Sequence, residues 1–122
     1  MPTRERLEAF AAMVVAGQHD RAIEEFYTPA ASMQENFDPP RVGRDGLVKR
    51  ERAIMAAFKS IESRCVRPMF LEGDHSVIRW IFGFEFADGT KRTLEELAYQ
   101  RWEGDRIAEE RFYYDPKQME GA

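Results

Sequence analysis

One cysteine and two histidines are all that this 122-residue chain has of the residues that build covalent cross-links and zinc sites. Cys65 has no partner for an internal disulfide, and His19 and His75 form no Cys/His cluster with zinc-ligand spacing. A reduced, cytoplasmic setting without metal or organic cofactor is therefore expected. Basic charge is also short: 18 Lys and Arg stand against 22 Asp and Glu, a net charge of -4, and no stretch forms a basic stripe. That removes the electrostatic reason to expect a nucleic-acid or acidic-membrane partner. Long apolar runs are missing as well. The opening "MPTRERLEAF" is charged, so neither an export signal nor a membrane span is expected. Internal repeats and low-complexity segments are absent too. What is present, 43% hydrophobic and 33% charged residues, is the composition of a folded chain whose length suits one domain over residues 1–122.

The most informative stretch runs from His75 to Asp115. It holds three alternating, aromatic-rich segments divided by Asp88-Gly89 and Gly104-Asp105, the pattern of an antiparallel meander. Upstream, Leu7, Phe10, Ala11 and Val14 recur at helical spacing between Thr3, a potential N-cap, and Gly17, a potential stop. Asp20 can cap a second, shorter helix carrying Ile23, Phe26 and Tyr27, which "TPA" interrupts at Pro29. "ASMQEN" reads as a short strand and "FDPPRVGRDG" as a loop. Asp45 can cap a third helix over residues 46–61, with Leu47, Ile54, Phe58 and Ile61 buried and Lys49, Arg50, Glu51 and Arg52 wet. "RCVRPMFL" is a further strand, which Pro68 pushes toward an edge or a bulge. Helices gather early and strands late, the order of an α+β fold with helices on one face of an antiparallel sheet.

This order, together with "EEFYTPAASMQEN", "VGRDGL" and "GDRIAEERFYYD", resembles the nuclear transport factor two-like superfamily, and within it the SnoaL-like branch of polyketide cyclases and ketosteroid isomerases. The resemblance covers nearly the whole chain. It implies a cone-shaped α+β barrel, with three N-terminal helices packed in the concave face of a strongly curved, mostly antiparallel sheet. It also implies a mostly apolar pocket and, often, a homodimer through the sheet's outer face. The superfamily holds enzymes and proteins without known catalysis, so fold leaves function open.

Laid against the isomerase, Glu35 falls where the proton-carrying Asp stands. Phe10 replaces the oxyanion-hole Tyr and Ala98 replaces the second acid, which argues against steroid isomerisation itself. The resemblance turns Ala98 inward; alternation then brings Glu96, Gln100 and Trp102 to the same face, and Glu110, Phe112 and Tyr114 join them from the last strand. Glu35, Glu96 and Glu110 are thus the candidate catalytic acids, and Phe10, Phe26, Arg79, Gln100, Trp102, Phe112 and Tyr114 the candidate substrate contacts. Arg79 depends on the hairpin. A two-residue turn at Asp88-Gly89 places it opposite Ala98, facing the pocket, and leaves Ile78, Trp80, Phe82 and Phe84 as an outer dimer stripe; a three-residue turn reverses both.

Carboxylates crowded in a walled cavity raise one another's pKa toward neutrality, as general acid/base chemistry needs. The plainer use of Glu96 and Glu110 is as outward charges paired with Arg101 or Arg111, and the plainer use of Glu35 is at a turn or in solvent. His19 reads as a helix-capping residue, His75 as a solvated turn residue and Cys65 as a structural thiol. The expected activity is cofactor-independent acid/base catalysis of the cyclase, isomerase or hydratase type on a small, largely apolar carbonyl- or hydroxyl-bearing compound. The alternative is a dimeric small-molecule-binding module that does no chemistry.

Overall fold

The computed structural model describes residues 1–120, so the last two residues of the expected 1–122 domain lie outside the described residues. Helices α1 (Arg4–Val15) and α2 (His19–Phe26) lead into strands β1 (Tyr27–Glu35) and β2 (Arg41–Val42). Helix α3 (Arg44–Ala57) follows, and then β3 (Ser60–Glu72), β4 (His75–Glu85), β5 (Lys91–Glu103) and β6 (Arg106–Tyr113). The six strands form one sheet in the order β2-β1-β6-β5-β4-β3. All neighbours are antiparallel except β1 and β6, which run parallel. This is the expected α+β architecture, with the curved sheet left unclosed rather than sealed into a barrel.

Local chemistry explains most of the boundaries. The Thr3 side chain accepts from the Arg6 amide at 3.0 Å and starts α1, and Gly17 at φ 82° stops it by receiving the chain in the left-handed region. Leu7, Phe10, Ala11 and Val14 are the buried face of that helix. Neither expected aspartate cap forms. The α2 N-cap is Gln18, and Asp20 binds the Arg52 guanidinium instead, tying α2 to α3. At α3 the N-cap is Gly43, with φ 108°, and Asp45 sits in the first turn, where it complements the helix dipole.

The third helix ends at Ala57, short of the expected residue 61, because Ser60 and Ile61 already pair with Glu85 and Phe84. Strand β1 begins at Tyr27 and takes in Pro29, while Arg41–Val42, expected as loop, add a short strand to its other edge. Strand β3 is the far edge, and its register shifts between Val66 and Phe70, around Pro68.

The β4–β5 hairpin settles which face is inside. The Phe86 amide donates to the Thr90 carbonyl and the Gly89 amide to the Phe86 carbonyl, so three residues, Ala87 to Gly89, make the turn, with Gly89 at φ 89°. Trp80 therefore faces Glu96, Ile78 faces Ala98 and Ser76 faces Gln100. Ile78, Trp80 and Phe82 are buried in the core. The expected outer stripe is thus the inner wall of the sheet, and the observation behind an outer aromatic dimer surface falls away.

Candidate functional site

Between the three helices and the inner face of the sheet lies a cavity of about 170 Å³. Its apolar walls include Phe10, Ile23 and Ile54 from the helices and Trp80, Phe82, Phe84 and Phe112 from the sheet. Strand register delivers the carboxyls in order. Ser76, Gln100, Glu110 and Met33 form one row across β4, β5, β6 and β1. Ile78, Ala98, Phe112 and Glu35 form the next, and Trp80 with Glu96 the one beyond. Adjacent rows on one face are two residues apart along each strand. Glu96, Glu110 and Glu35 therefore converge on one space from three strands.

Glu110 is held from two sides. The Tyr27 hydroxyl donates to its Oε1, and the Gln100 side-chain amide donates to its Oε2 at 2.7 Å. Gln100 is oriented in turn by Ser76, whose hydroxyl donates to Gln100 Oε1 at 2.6 Å, and Ser76 accepts from the Trp102 indole at 2.8 Å. Every polar group in this buried relay is satisfied, and every donor in it runs toward Glu110. Burial pushes the Glu110 carboxyl up to about 7, opposed by the Gln100 and Tyr27 donors that favour its ionised form and helped by the negative charge of Glu51. Burial, then Glu110, lifts the Tyr27 phenol well above its ordinary value, so it stays a donor.

Glu96 stands in contrast. It is only 7% exposed and lines the cavity. Its carboxyl forms no hydrogen bond among the described residues. Burial, with Glu110, Glu35 and Glu51 nearby, pushes it up to about 8. Burial thus favours the protonated form of Glu96, whereas the two donors on Glu110 favour its ionised form.

Glu35 sits toward the opening, where its Oε2 accepts from Arg41 at 3.1 Å and lies 3.8 Å from Arg50. Tyr114 is beside it; burial, then the Glu35 charge, pushes the Tyr114 phenol up to about 12. Of the other expected contacts, Phe10 and Phe112 line the cavity. Gln100 and Trp102 are buried behind it as the relay, and Phe26 is buried in the core with Arg6 over its ring. Arg79 is not part of the site. The three-residue turn puts it on the outer face opposite Leu97, where its Nε donates to Glu95 at 2.6 Å.

Several cavity residues were not foreseen. His19 packs on the Phe82 ring, and its Nε2 is 2.7 Å from the Ser63 hydroxyl and its Nδ1 3.4 Å from Glu51. Glu51, Arg50 and Arg41, expected on a wet helix face and in a loop, line the cavity from α3 and β2. Only the clustering of charge at "RVGRDGLVKRER" could have drawn attention to them. No group of three or more His, Cys, Asp or Glu suited to a metal ion occurs among the described residues.

A family model described as the SnoaL-like domain matches residues 7–110. The chain belongs to the SnoaL-like family. Its fold recurs in a candidate SnoaL-like polyketide cyclase from Mesorhizobium loti, with 20% identity, 93% of this chain and 100% of that one covered, and a TM-score of 0.77. A hypothetical protein with the ketosteroid isomerase-like fold from Catenulispora acidiphila, solved with trimethylamine, gives 18% identity, coverage of 95% and 89%, and a TM-score of 0.78. TerC, co-crystallised with polyporic acid, gives 13% identity, coverage of 94% and 92%, and a TM-score of 0.77. At these identities the likeness is one of fold. No curated protein matches this SnoaL-like chain in sequence.

Proposed function

We propose that this SnoaL-like protein is a cofactor-independent acid/base enzyme of the cyclase, isomerase or hydratase type, acting on a small, largely apolar compound with a carbonyl or hydroxyl group. The observation that carries this reading is Glu96, a buried residue whose carboxyl has no hydrogen-bond partner among the described residues and opens onto an apolar cavity beside a carboxyl held by two donors. A protein rarely buries an ionisable group without a partner unless the group serves something that enters. In this scheme Glu96 offers its proton to the substrate oxygen. Glu110 takes a proton from the adjacent carbon, and the Tyr27 and Gln100 donors move with the charge it gains or loses. The resemblance gives the proton-carrying role to Glu35. Its position in the cavity lining supports a part in the site, and its two arginine neighbours favour an orienting part.

The second reading, a binding module, draws support from the relay itself, since a fully satisfied Glu110 is also what a purely structural buried carboxyl looks like. Carbon-detected NMR of the Glu side chains across pH separates the two. An enzyme of this design shows one carboxyl, assigned to Glu96 by its loss in Glu96→Gln, titrating near neutrality; ordinary values throughout would leave the module. That two structural relatives were crystallised with trimethylamine and with polyporic acid is in keeping with a small-molecule role. The single Cys65, free in the structure, suits a reducing, cytoplasmic setting. Self-association through the outer face of the sheet keeps as support the exposed Leu97, Tyr99 and Tyr113.

A further inference from the structure

The polar lining of the cavity is of two kinds. Glu96 and Glu110 are buried among aromatic and aliphatic side chains, whereas two guanidinium groups, Arg41 from β2 and Arg50 from α3, line it from partly exposed positions that mark its open side. These two cations share one carboxylate. Arg41 Nη1 donates to Glu35 Oε2 at 3.1 Å, whereas Arg50 approaches the same oxygen only to 3.8 Å and makes no hydrogen bond among the described residues. A guanidinium presents five N–H donors in a planar fork suited to two carboxylate oxygens at once. Most of that capacity is unused here, and both side chains remain partly open to solvent, at 43% and 38%. An arginine held over an apolar cavity with its donors unspent is placed to receive an anion that arrives with an apolar body.

We infer that the substrate is a small organic acid whose carboxylate docks on Arg41 and Arg50 at the opening while its apolar body and second oxygen extend inward to Glu96. This rests on the acid/base reading of the same cavity and adds to it the class of compound. A cavity of about 170 Å³ compares with the roughly 150 Å³ apolar cavity that holds a benzene-sized guest. The body of the acid is therefore about one ring or a short branched chain, with the carboxylate outside the apolar part. Glu35 takes a definite part in this arrangement. It occupies Arg41 in the empty site, and the incoming carboxylate replaces it there. With the acid bound, two carboxylates face two guanidinium groups where one faced them before, so the formal charges of this cluster balance.

The test uses phenylacetate and its neutral counterpart phenylacetamide as probes, with binding followed by calorimetry or by protein amide shifts near neutral pH. The acid should bind at least roughly tenfold more tightly than the amide, and added salt should narrow the gap. In the double variant Arg41→Gln and Arg50→Gln the two probes should bind alike. Glu35→Gln, which removes the competitor but keeps the shape, should tighten phenylacetate several-fold and leave phenylacetamide unchanged. All three substitutions are at partly solvated positions near the cavity opening, and retained far-ultraviolet circular dichroism confirms that the variants fold. Equal binding of acid and amide to the unaltered protein overturns the inference while leaving the cavity reading in place. Weaker phenylacetate binding in Glu35→Gln also overturns it, because Glu35 would then assist the anion rather than compete with it. Failure of both probes at millimolar concentration overturns the inference and the small-molecule reading together.

Discussion

Glu96 links the chemistry of the cavity to the stability of the whole protein. Its carboxyl ordinarily titrates at 4.5 and is pushed up to about 8 in the folded chain, and that of Glu110 is pushed up to about 7. The folded state therefore binds more protons than the unfolded state between these values. The stability that protonation contributes is complete below about 4.5, declines as pH rises, and is lost once both folded values, about 7 and about 8, have been passed. Thermal or denaturant unfolding should show the protein weakening from mildly acidic to mildly alkaline pH. Glu96→Gln, which keeps the shape but cannot ionise, should remove much of that slope, stabilising the protein on the alkaline side by something on the order of a few kcal/mol and changing little at pH 5. An unchanged slope in the variant would mean that Glu96 reaches water and that the cavity does not desolvate it.

Among the elements, the β4–β5 hairpin decides the most. A one-residue change in its turn shifts the pairing by one residue and exchanges the faces of every side chain of β4 relative to β5. Gly89 holds the turn at φ 89°, and a Cβ built there meets nothing within 4 Å. The cost of Gly89→Ala is therefore conformational rather than steric. About 1 kcal/mol of lost stability is expected by urea unfolding, with an unchanged denaturant slope, since the surface exposed on unfolding stays the same.

The same hairpin marks where the sequence could be read and where it could not. Alternation in "KRTLEELAYQRW" and "IAEERFYYD" was enough, with the family resemblance to orient it, to bring Glu96, Gln100 and Glu110 to one face. Those positions hold in the structure because each strand has one face packed on the helices. Asp88-Gly89 was not enough, because the same pair serves a two-residue turn and, one step along, the closing half of a three-residue turn. Arg79 and Trp80 changed places on that single ambiguity. His19, Arg50 and Glu51 were illegible for another reason. Their local patterns are those of a helix end and a wet helix face, and only the packing of α2 and α3 against the sheet makes them cavity walls.

For the molecule as a whole, the reversal of the aromatic stripe changes what its residues should do when altered. Phe82 is 9% exposed, stacks with Trp80 and carries His19 on its ring. As an outer residue it could have been charged at the expense of self-association alone. As an inner one, Phe82→Glu puts an unpaired carboxylate among aromatic rings and removes a large buried side chain, a loss of roughly 3–5 kcal/mol. Circular dichroism and sedimentation measured together should show loss of folded protein rather than conversion of a dimer to folded monomer. A folded Phe82→Glu monomer obtained from a dimeric parent would reverse this assignment of faces.

The parallel pairing of β1 with β6 has a consequence for the order in which the protein can exist. Met33 lies beside Glu110 and Glu35 beside Phe112, partners separated by most of the chain. All three helices and the first strand leave the ribosome long before the strand that completes their neighbourhood. Until residue 113 has been made, β1 has no partner on that edge, Tyr27 has no carboxylate to meet, and the apolar side chains of α1 and α2 have only part of their cover. Pairings of such sequence separation carry the largest loop-closure cost and are the slow part of folding. The catalytic candidates thus depend on β6, made after the five other described strands: a nascent chain can carry Glu35 and Glu96 in full and still have no chamber for them to share.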